Sequence, residues 1–498
     1  MIVDYEYKNG KLLVSHISDK GQLQFKNYDW YNPLQWNLTT ESDPQKSDKF
    51  KTWNKKPVKL DKTRYPNRYA IYEKFRKLPE KDQSDIFDFH DPNIFFCDIE
   101  VEITQGFPEA HIAENKVTSV ALIHKNTILL LGIKELTDKQ VNKMTKDVNE
   151  YFSKFNTNYK VKWQYCETEY ELMDILFNEL IPKMPILTGW NFIKYDWVYL
   201  VTRARKLGIN PDVASPSGKL EKPWSKNENE YKPIYEELPR HRLVFDYMDI
   251  FDKWDQSIDI KEAISLDFVS SKVLDVKKLE YDGSLKQLYH DDWYKYCLYN
   301  CIDTALVQLI HQKQQTFDIM LSIATLAKID IKSALSTIRV TEGVLFDKFY
   351  DNGIVMVKQK NNNNTIEYDD DDKEVNTDDG GYGGGYVKYP ARGLRLWVCI
   401  FDYASLYPNT MIQFNIAPES FKGMKINDEY TMLDGMKFKI EDDDIILPNG
   451  AVFKNENSYT KQILSSIFKN RKGNKNLSLD YYKQHKLITD YLKNRKAA

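Results

Sequence analysis

The sequence predicts a multidomain α/β protein, and three observations carry that prediction. Strand-like and helix-like segments alternate from residue 93 to 325, the pattern of a sheet covered by helices. The 498 residues suffice for about three or four domains. Hydrophobic residues make up 42% of the chain against 29% charged, which supplies an ample core and excludes a disordered polypeptide.

Taken in order, residues 1–92 mix short apolar stretches with Lys, Asp and Trp, carry no chemical motif, and read as an N-terminal domain. NIFFCDIEV at 93–101 is a β-rich run suited to a buried strand with acids inserted. Residues 117–133 read as two strands joined at Lys125–Asn126. A helix is expected over 166–182, then strand, loop and helix over 185–208. The Pro-, Lys- and Glu-rich stretch 209–245 reads as a long connection containing a hairpin, and 285–325 has helical spacing. At 361–385 the sequence NNNNTIEYDDDDKEVNTDDGGYGGG marks a boundary. Its first nineteen residues, 361–379, hold eight acids and one Lys, a local charge of −7. A solvated linker and a simple insertion both fit it. Order resumes with RLWVCIFDYASLYP, in which WVCIF reads as a strand leading to Asp402.

Lys plus Arg number 70 against 73 acids, a formal charge of −3, so no global basic excess announces a polyanion partner and any such role rests on local patches. One patch is the last 38 residues, 461–498, with ten Lys or Arg against two Asp, or +8. No apolar run of about 18 residues occurs, which argues against a membrane span. The start, MIVDYEYKNG, does not resemble a secretory signal. The five Cys (97, 166, 297, 301 and 399) contain no C-x-x-C. Cys297 and Cys301 can share a helix face, but two thiols do not make a zinc site. A reducing, intracellular compartment is expected.

Four acids carry the chemistry. Asp98 and Glu100 stand two apart on the first strand, on one face of it. Carboxylates on an apolar strand cost desolvation and repel each other unless a cation lies between them. Hard divalent cations are the usual remedy. Asp196 follows the loop WNFIKY and precedes the helical WVYLVTRARK. Asp303 lies four residues after Tyr299, so both project to one side of a helix. Carboxylates from separate segments of one α/β domain suit a two-metal site, where one ion activates water and the other stabilises the leaving oxygen of a phosphodiester.

These three segments resemble the exonuclease motifs of the proofreading domain of family B (alpha-like) DNA polymerases, within the DEDD 3′–5′ exonucleases. The resemblance implies a ribonuclease-H-like exonuclease domain at 93–324. In it Asp98, Glu100, Asp196 and Asp303 are metal ligands, Tyr299 orients the attacking water and Asn191 touches the DNA strand. The stretch 245–283 is similar to the polymerases of tailed bacteriophages, which would place the protein in a host cytoplasm. Metal use would be Mg²⁺, two per active site, with Mn²⁺ able to substitute.

DYASLYP at Asp402–Pro408 resembles the first polymerase motif of the same family. A carboxylate at a strand end can hold Mg²⁺, and the turn beyond it can offer N–H groups to a triphosphate. By resemblance Asp402 and the Tyr403 carbonyl hold metal, Ser405 and Leu406 bind the phosphates of a dNTP, and Tyr407 lies beneath its sugar. GGYGGGYV at 380–387 is similar to an element that touches the template backbone through Gly384 and Gly385, although a flexible linker explains the same glycines. NRKGNKN at 470–476 resembles the start of the fingers, with Arg471 and Lys475 on one helix face reaching the nucleotide's phosphates; a solvated basic face is the alternative.

The family's next motifs, K-x-x-x-N-S-x-Y-G and D-T-D, do not occur in the sequence. The resemblance therefore implies the N-terminal portion of a polymerase, split or truncated. Residues 386–456 would be a partial palm and 457–498 partial fingers, with part of 325–370 joining the N-terminal domain. Full synthesis on primer-template DNA would need a C-terminal half as a separate chain, and a sliding clamp is a further expected partner. A stand-alone exonuclease degrading single-stranded DNA from its 3′ end, and a non-catalytic replisome subunit that binds DNA, are the alternatives.

Overall fold

A computed structural model describes residues 1–104, 106–222, 237–255, 264–357, 389, 393, 394, 396, 397, 399–403, 405–426, 429–431 and 437–497. Three antiparallel strands open the chain, β1 (Ile2–Lys8), β2 (Lys11–Ile17) and β3 (Leu23–Asp29). A two-stranded ribbon of β4 (Leu34–Leu38) and β5 (Val58–Lys62) follows, then helices α1 (Arg68–Arg76) and α2 (Glu80–Phe87).

The strand around Asp98 becomes the middle of a six-stranded mixed sheet. β6 (Ile94–Val101) runs antiparallel to β7 (Val117–His124), which turns at Lys125 (φ +53°) into β8 (Thr127–Gly132). Helix α3 (Asp138–Tyr151), begun by a Thr137–Gln140 capping box, leads to β9 (Lys160–Tyr165), parallel to β8. Helix α4 (Glu169–Asp174) and a π-helical turn carry the chain to β10 (Ile186–Gly189), on the other side of β6 and parallel to it. Helix α5 (Val198–Lys206) follows. The expected hairpin is represented by β11 (Leu220–Glu221) and β12 (Leu238–Pro239), and β13 (Leu243–Asp246) ends the sheet, whose order is β13-β10-β6-β7-β8-β9.

Helices α6 (Tyr247–Trp254), α7 (Leu266–Val273), α8 (Leu285–Asp291), α9 (Trp293–Gln314) and α10 (Thr316–Ala327) complete this part. Helix α9 packs across β6 and β7, and fourteen of its 22 residues are buried. Such all-round burial lets it carry polar side chains into the core only where they find partners. Trp197, Phe192 and Phe177 fill the core on the β10 side.

Helix α11 (Thr337–Asp351), α12 (Leu406–Gln413), four short strands β14 (Phe421–Ile426), β15 (Glu429–Thr431), β16 (Ile445–Ile446) and β17 (Ala451–Phe453), and a long helix α13 (Tyr459–Ala497) follow. The four strands form one sheet in the order β15-β14-β17-β16. The chain divides into two compact units: residues 1–33 with 72–341, and residues 34–71 with 342–357 and the later segments. No helix among the described residues is long and apolar enough to cross a membrane.

The strand expected for WVCIF is not seen among its described residues: 399–403 have no regular structure, and Ile400 and Phe401 are 90% and 91% exposed. A strand exists only with a neighbour to bond, and the sheet of β14 to β17 does not include these residues.

One buried ion pair fastens the sheet to its helices. Glu169 accepts from Arg203 Nε and Nη2, each at 2.7 Å, and from the Val117 amide at 2.7 Å. Their side chains are 6% and 13% exposed. Replacing Arg203 with Leu strands a buried carboxylate, which should destabilise this unit by about 3–5 kcal/mol in urea denaturation. The double variant Arg203→Leu with Glu169→Leu should recover part of that loss.

Candidate active site

β6 delivers Asp98 and Glu100 to the same face of the sheet, and Glu100 is buried. The next contribution depends on a close approach. A side chain on Gly189, at the end of β10, would bring its Cβ to 2.3 Å from the Cys97 carbonyl oxygen. Without one, the chain crosses the end of β6 and turns through Asn191, held at φ +58°, a conformation asparagine tolerates. A π-helical turn, Ile193–Trp197, then buries Asp196, whose Oδ1 accepts from the Ile99 amide at 3.1 Å. Asn191 itself is half-buried at this turn. π-Turns recur where a helix must re-aim a side chain.

Helix α9 supplies Asp303, buried, and Tyr299 one turn earlier. Lys278, in the connection before α8, comes to 2.5 Å from Asp303 Oδ2. Its ammonium also lies 5.0 Å from the centre of the Tyr299 ring, which Tyr281 meets edge-on at 5.4 Å. Asp303 Oδ1 is buried with no hydrogen-bond partner among the described residues.

The electrostatics follow from burial. Burial first, then the Asp303 charge, pushes the Asp98 carboxyl up to about 7. Burial and the neighbouring acids push Glu100 well above the usual carboxylate range, and burial with the Asp98 charge does the same to Asp196. Asp303 is raised by burial although Lys278 and Tyr299 oppose the shift. Burial would lower Lys278, yet the charges of Asp303, Asp98 and Glu100 hold it above the ordinary lysine value. Asp303, Asp98 and Glu100 thus share one ammonium, and Asp196 has only the Ile99 amide. The orphaned Asp303 oxygen and the excess of hard oxygen donors fit a divalent cation. The trio whose ligand oxygens close within 4.8 Å lies elsewhere, at Glu441, Asp443 and Asp444. That trio is mostly exposed and partly paired with Lys422. Among the described residues the sheet acids do not close into such a trio.

The second set is arranged differently. Asp402 is exposed and Tyr403 and Tyr407 are 78% and 76% exposed. Ser405 sits at φ +53° immediately before α12, which begins at Leu406. Arg471 on α13 donates from Nη1 to Ser405 Oγ at 3.1 Å, so those two residues are brought together, and Lys475 is exposed one turn further along. Gly384, Gly385 and the acidic stretch 361–379 lie outside the described residues.

The residue that sequence reasoning missed is Lys278. Nothing local marks it; only the ion pair with Asp303 singles it out.

The model of the family B DNA polymerase exonuclease domain matches residues 47–257, and that of DNA polymerase family B matches residues 332–490. The DNA-directed DNA polymerase of Escherichia phage RB69 is 26% identical over 343 residues, 67% of this chain and 36% of that protein. That of Enterobacteria phage T4 is 25% identical over 291 residues, 58% of this chain and 30% of the relative. A DNA polymerase of Thermococcus hydrothermalis is 37% identical over 92 residues, 18% of this chain and 5% of that protein. The chain spans about a third of the length of its two phage relatives. These matches define an exonuclease domain and a polymerase segment of the family B type. The chain belongs to family B of the DNA polymerases, and membership implies use of a divalent metal.

Lys278→Met removes the single ammonium among these acids. In EDTA it should lower stability by about 3 kcal/mol, the cost of an unpaired buried charge. Millimolar Mn²⁺ should restore part of the loss in thermal unfolding, because a ligand that binds only the folded state stabilises it.

Proposed function

We propose that this chain hydrolyses the 3′-terminal phosphodiester of DNA at the Asp98 site. The observation that carries this reading is the convergence of four carboxylates from β6, the Asp196 turn and α9, three of them buried and Asp98 half-buried, beside one ammonium. Asp98, Glu100, Asp196 and Asp303 would hold Mg²⁺, two ions per site, with Mn²⁺ as a substitute. Bound metal would activate water and stabilise the leaving oxygen. Tyr299 orients the attacking water, Lys278 holds Asp303 in its ionised form, and Asn191 contacts the strand. Single-stranded 3′ ends are the substrate, as in proofreading, in a host cytoplasm.

Residues 402–475 contribute to a nucleotidyltransferase site. Asp402 and the Tyr403 carbonyl take the metal, Ser405, Leu406, Arg471 and Lys475 the phosphates of a dNTP, and Tyr407 its sugar. Gly384 and Gly385 would touch the template backbone. Primer-template DNA is the partner of this region, and a further polypeptide carrying the second polymerase carboxylate completes it; a sliding clamp is a further partner. The domain assignment that goes with this reading is N-terminal at 1–92 with part of 325–370, exonuclease at 93–324, linker or insertion at 361–385, palm at 386–456 and fingers at 457–498.

Incubated with Mg²⁺ and a 3′-extended, 5′-labelled single strand, the 498 residues should shorten it stepwise. An intact label, where a control exonuclease digests the strand, refutes the proposal. Asp98→Ala with Glu100→Ala should reduce the rate by at least about a thousandfold, in keeping with loss of metal-based charge stabilisation worth several kcal/mol, and leave the circular dichroism unchanged. On a primed template with dNTPs the same 498 residues should add no nucleotide; extension would show that Asp402 does not need a second carboxylate from outside them.

A further inference from the structure

Asn300 lies on α9 between the water-orienting Tyr299 and Asp303, and it is fully buried. Its Nδ2 donates to Asp98 Oδ2 at 2.7 Å. Its Oδ1 accepts from the hydroxyl of Ser119 at 2.9 Å, and Ser119 is also fully buried, on β7. The β6–β7 register pairs Ser119 with Glu100, so Ser119 stands on the face of the sheet that carries both acids. These contacts are not the sole tie of helix to sheet. A separate buried bond also joins them, between Tyr296 OH and Thr118 Oγ1 at 2.8 Å, with Thr118 Oγ1 donating to the Glu100 carbonyl at 3.0 Å.

The polarity of the Ser119–Asn300–Asp98 chain is dictated by chemistry. An ionised carboxylate only accepts, so the amide must turn its NH₂ group towards Asp98. That leaves the amide oxygen facing the core, where an unpaired carbonyl is costly. A serine hydroxyl on β7 supplies the donor. With Ser119 in place the amide has one satisfied orientation; without it, the flipped orientation would set an acceptor against the Asp98 carboxylate.

We infer that Asn300, locked by Ser119, is a positioning residue that fixes the Asp98 carboxylate in the orientation in which it takes a divalent cation. This inference rests on the exonuclease reading of the Asp98 site. Groups one step removed from a metal commonly set its affinity by ten- to a hundredfold.

Mn²⁺ binding to the full 498-residue chain, followed by electron paramagnetic resonance, tests it without any assay of turnover. The sites to follow are those lost in Asp98→Ala. In Asn300→Leu, which keeps the side-chain volume, their dissociation constant should rise about ten- to a hundredfold. Ser119→Ala, which deletes one hydroxyl and preserves the fold, should raise it about three- to tenfold, in line with one lost hydrogen bond. The double variant should match Asn300→Leu alone, because Ser119 acts only through the amide. Dissociation constants within twofold of the parent in both single variants overturn the inference, as do additive effects in the double variant. A parent chain with no Mn²⁺ sites sensitive to Asp98→Ala overturns the exonuclease reading as well, so the two failures are distinguishable.

Discussion

Four carboxylates withdrawn from water beside one sheet cannot all ionise unless positive charge lies among them. The surroundings of Asp98 answer to that constraint. Among the described residues a single ammonium, that of Lys278, is paired within the site, and it goes to Asp303. For the rest the chain supplies dipoles: the Ile99 amide to Asp196 and the Asn300 amide to Asp98. Each is a hydrogen bond to the charged form, so each opposes the rise in proton affinity that burial imposes. They do not cancel it, since Asp98, Glu100, Asp196 and Asp303 all remain raised. A site left short of positive charge by its own residues has a standing affinity for a cation from solution.

The scaffold is economical with backbone. β7 pairs β6 through both acids, whereas β10 pairs it only over Ile94–Phe96; beyond that point the Ile99 amide on this edge is taken by Asp196. Gly189 lets β10 end against the Cys97 carbonyl, and the π-helical turn that follows delivers Asp196 back onto the Ile99 amide. α9 brings Tyr299, Asn300 and Asp303 within about one turn of one largely buried helix. The acids therefore inherit the rigidity of the sheet and of a 22-residue helix, while Lys278 comes from an irregular connection and is the member of the site best able to yield to an incoming ion.

Much of this was legible in the sequence because it is periodic. D-x-E on an apolar strand, the turn at Lys125–Asn126 and Y-x-x-x-D at helical spacing each encode a direction as well as a residue type, and the structure has the strand, hairpin and helix they imply. Lys278 was not legible. It lies in a connection with no period, beside a second lysine, Lys277, and only folding distinguishes the one that meets Asp303. The Glu169–Arg203 pair and the Ser119–Asn300 contact were hidden for the same reason, being contacts between residues 34 and 181 positions apart. WVCIF shows the opposite failure. Its composition is that of a strand, yet β-structure is a property of pairs of segments, and local propensity cannot supply the neighbour.

The contrast between the two sets of residues bears on how each can act. Charges at about 4 Å interact with about 1 kcal/mol in bulk water and about 4 kcal/mol at the effective dielectric near a protein surface. The Asp98 set already has the second condition, because β6, β10 and α9 exclude water from it. Asp402, exposed in an unpaired run between Phe401 and Tyr403, has the first. Its carboxylate can attract a metal only as weakly as any surface acid does, whatever the motif around it. For Asp402 to act as Asp98 can, apolar surface must close over Ile400 and Phe401 and a ladder partner must pair their backbone, which would dehydrate the acid and fix its direction in one step. The low-dielectric setting of the first set of acids is thus a property of the fold described, whereas Asp402 gains one only if it is covered.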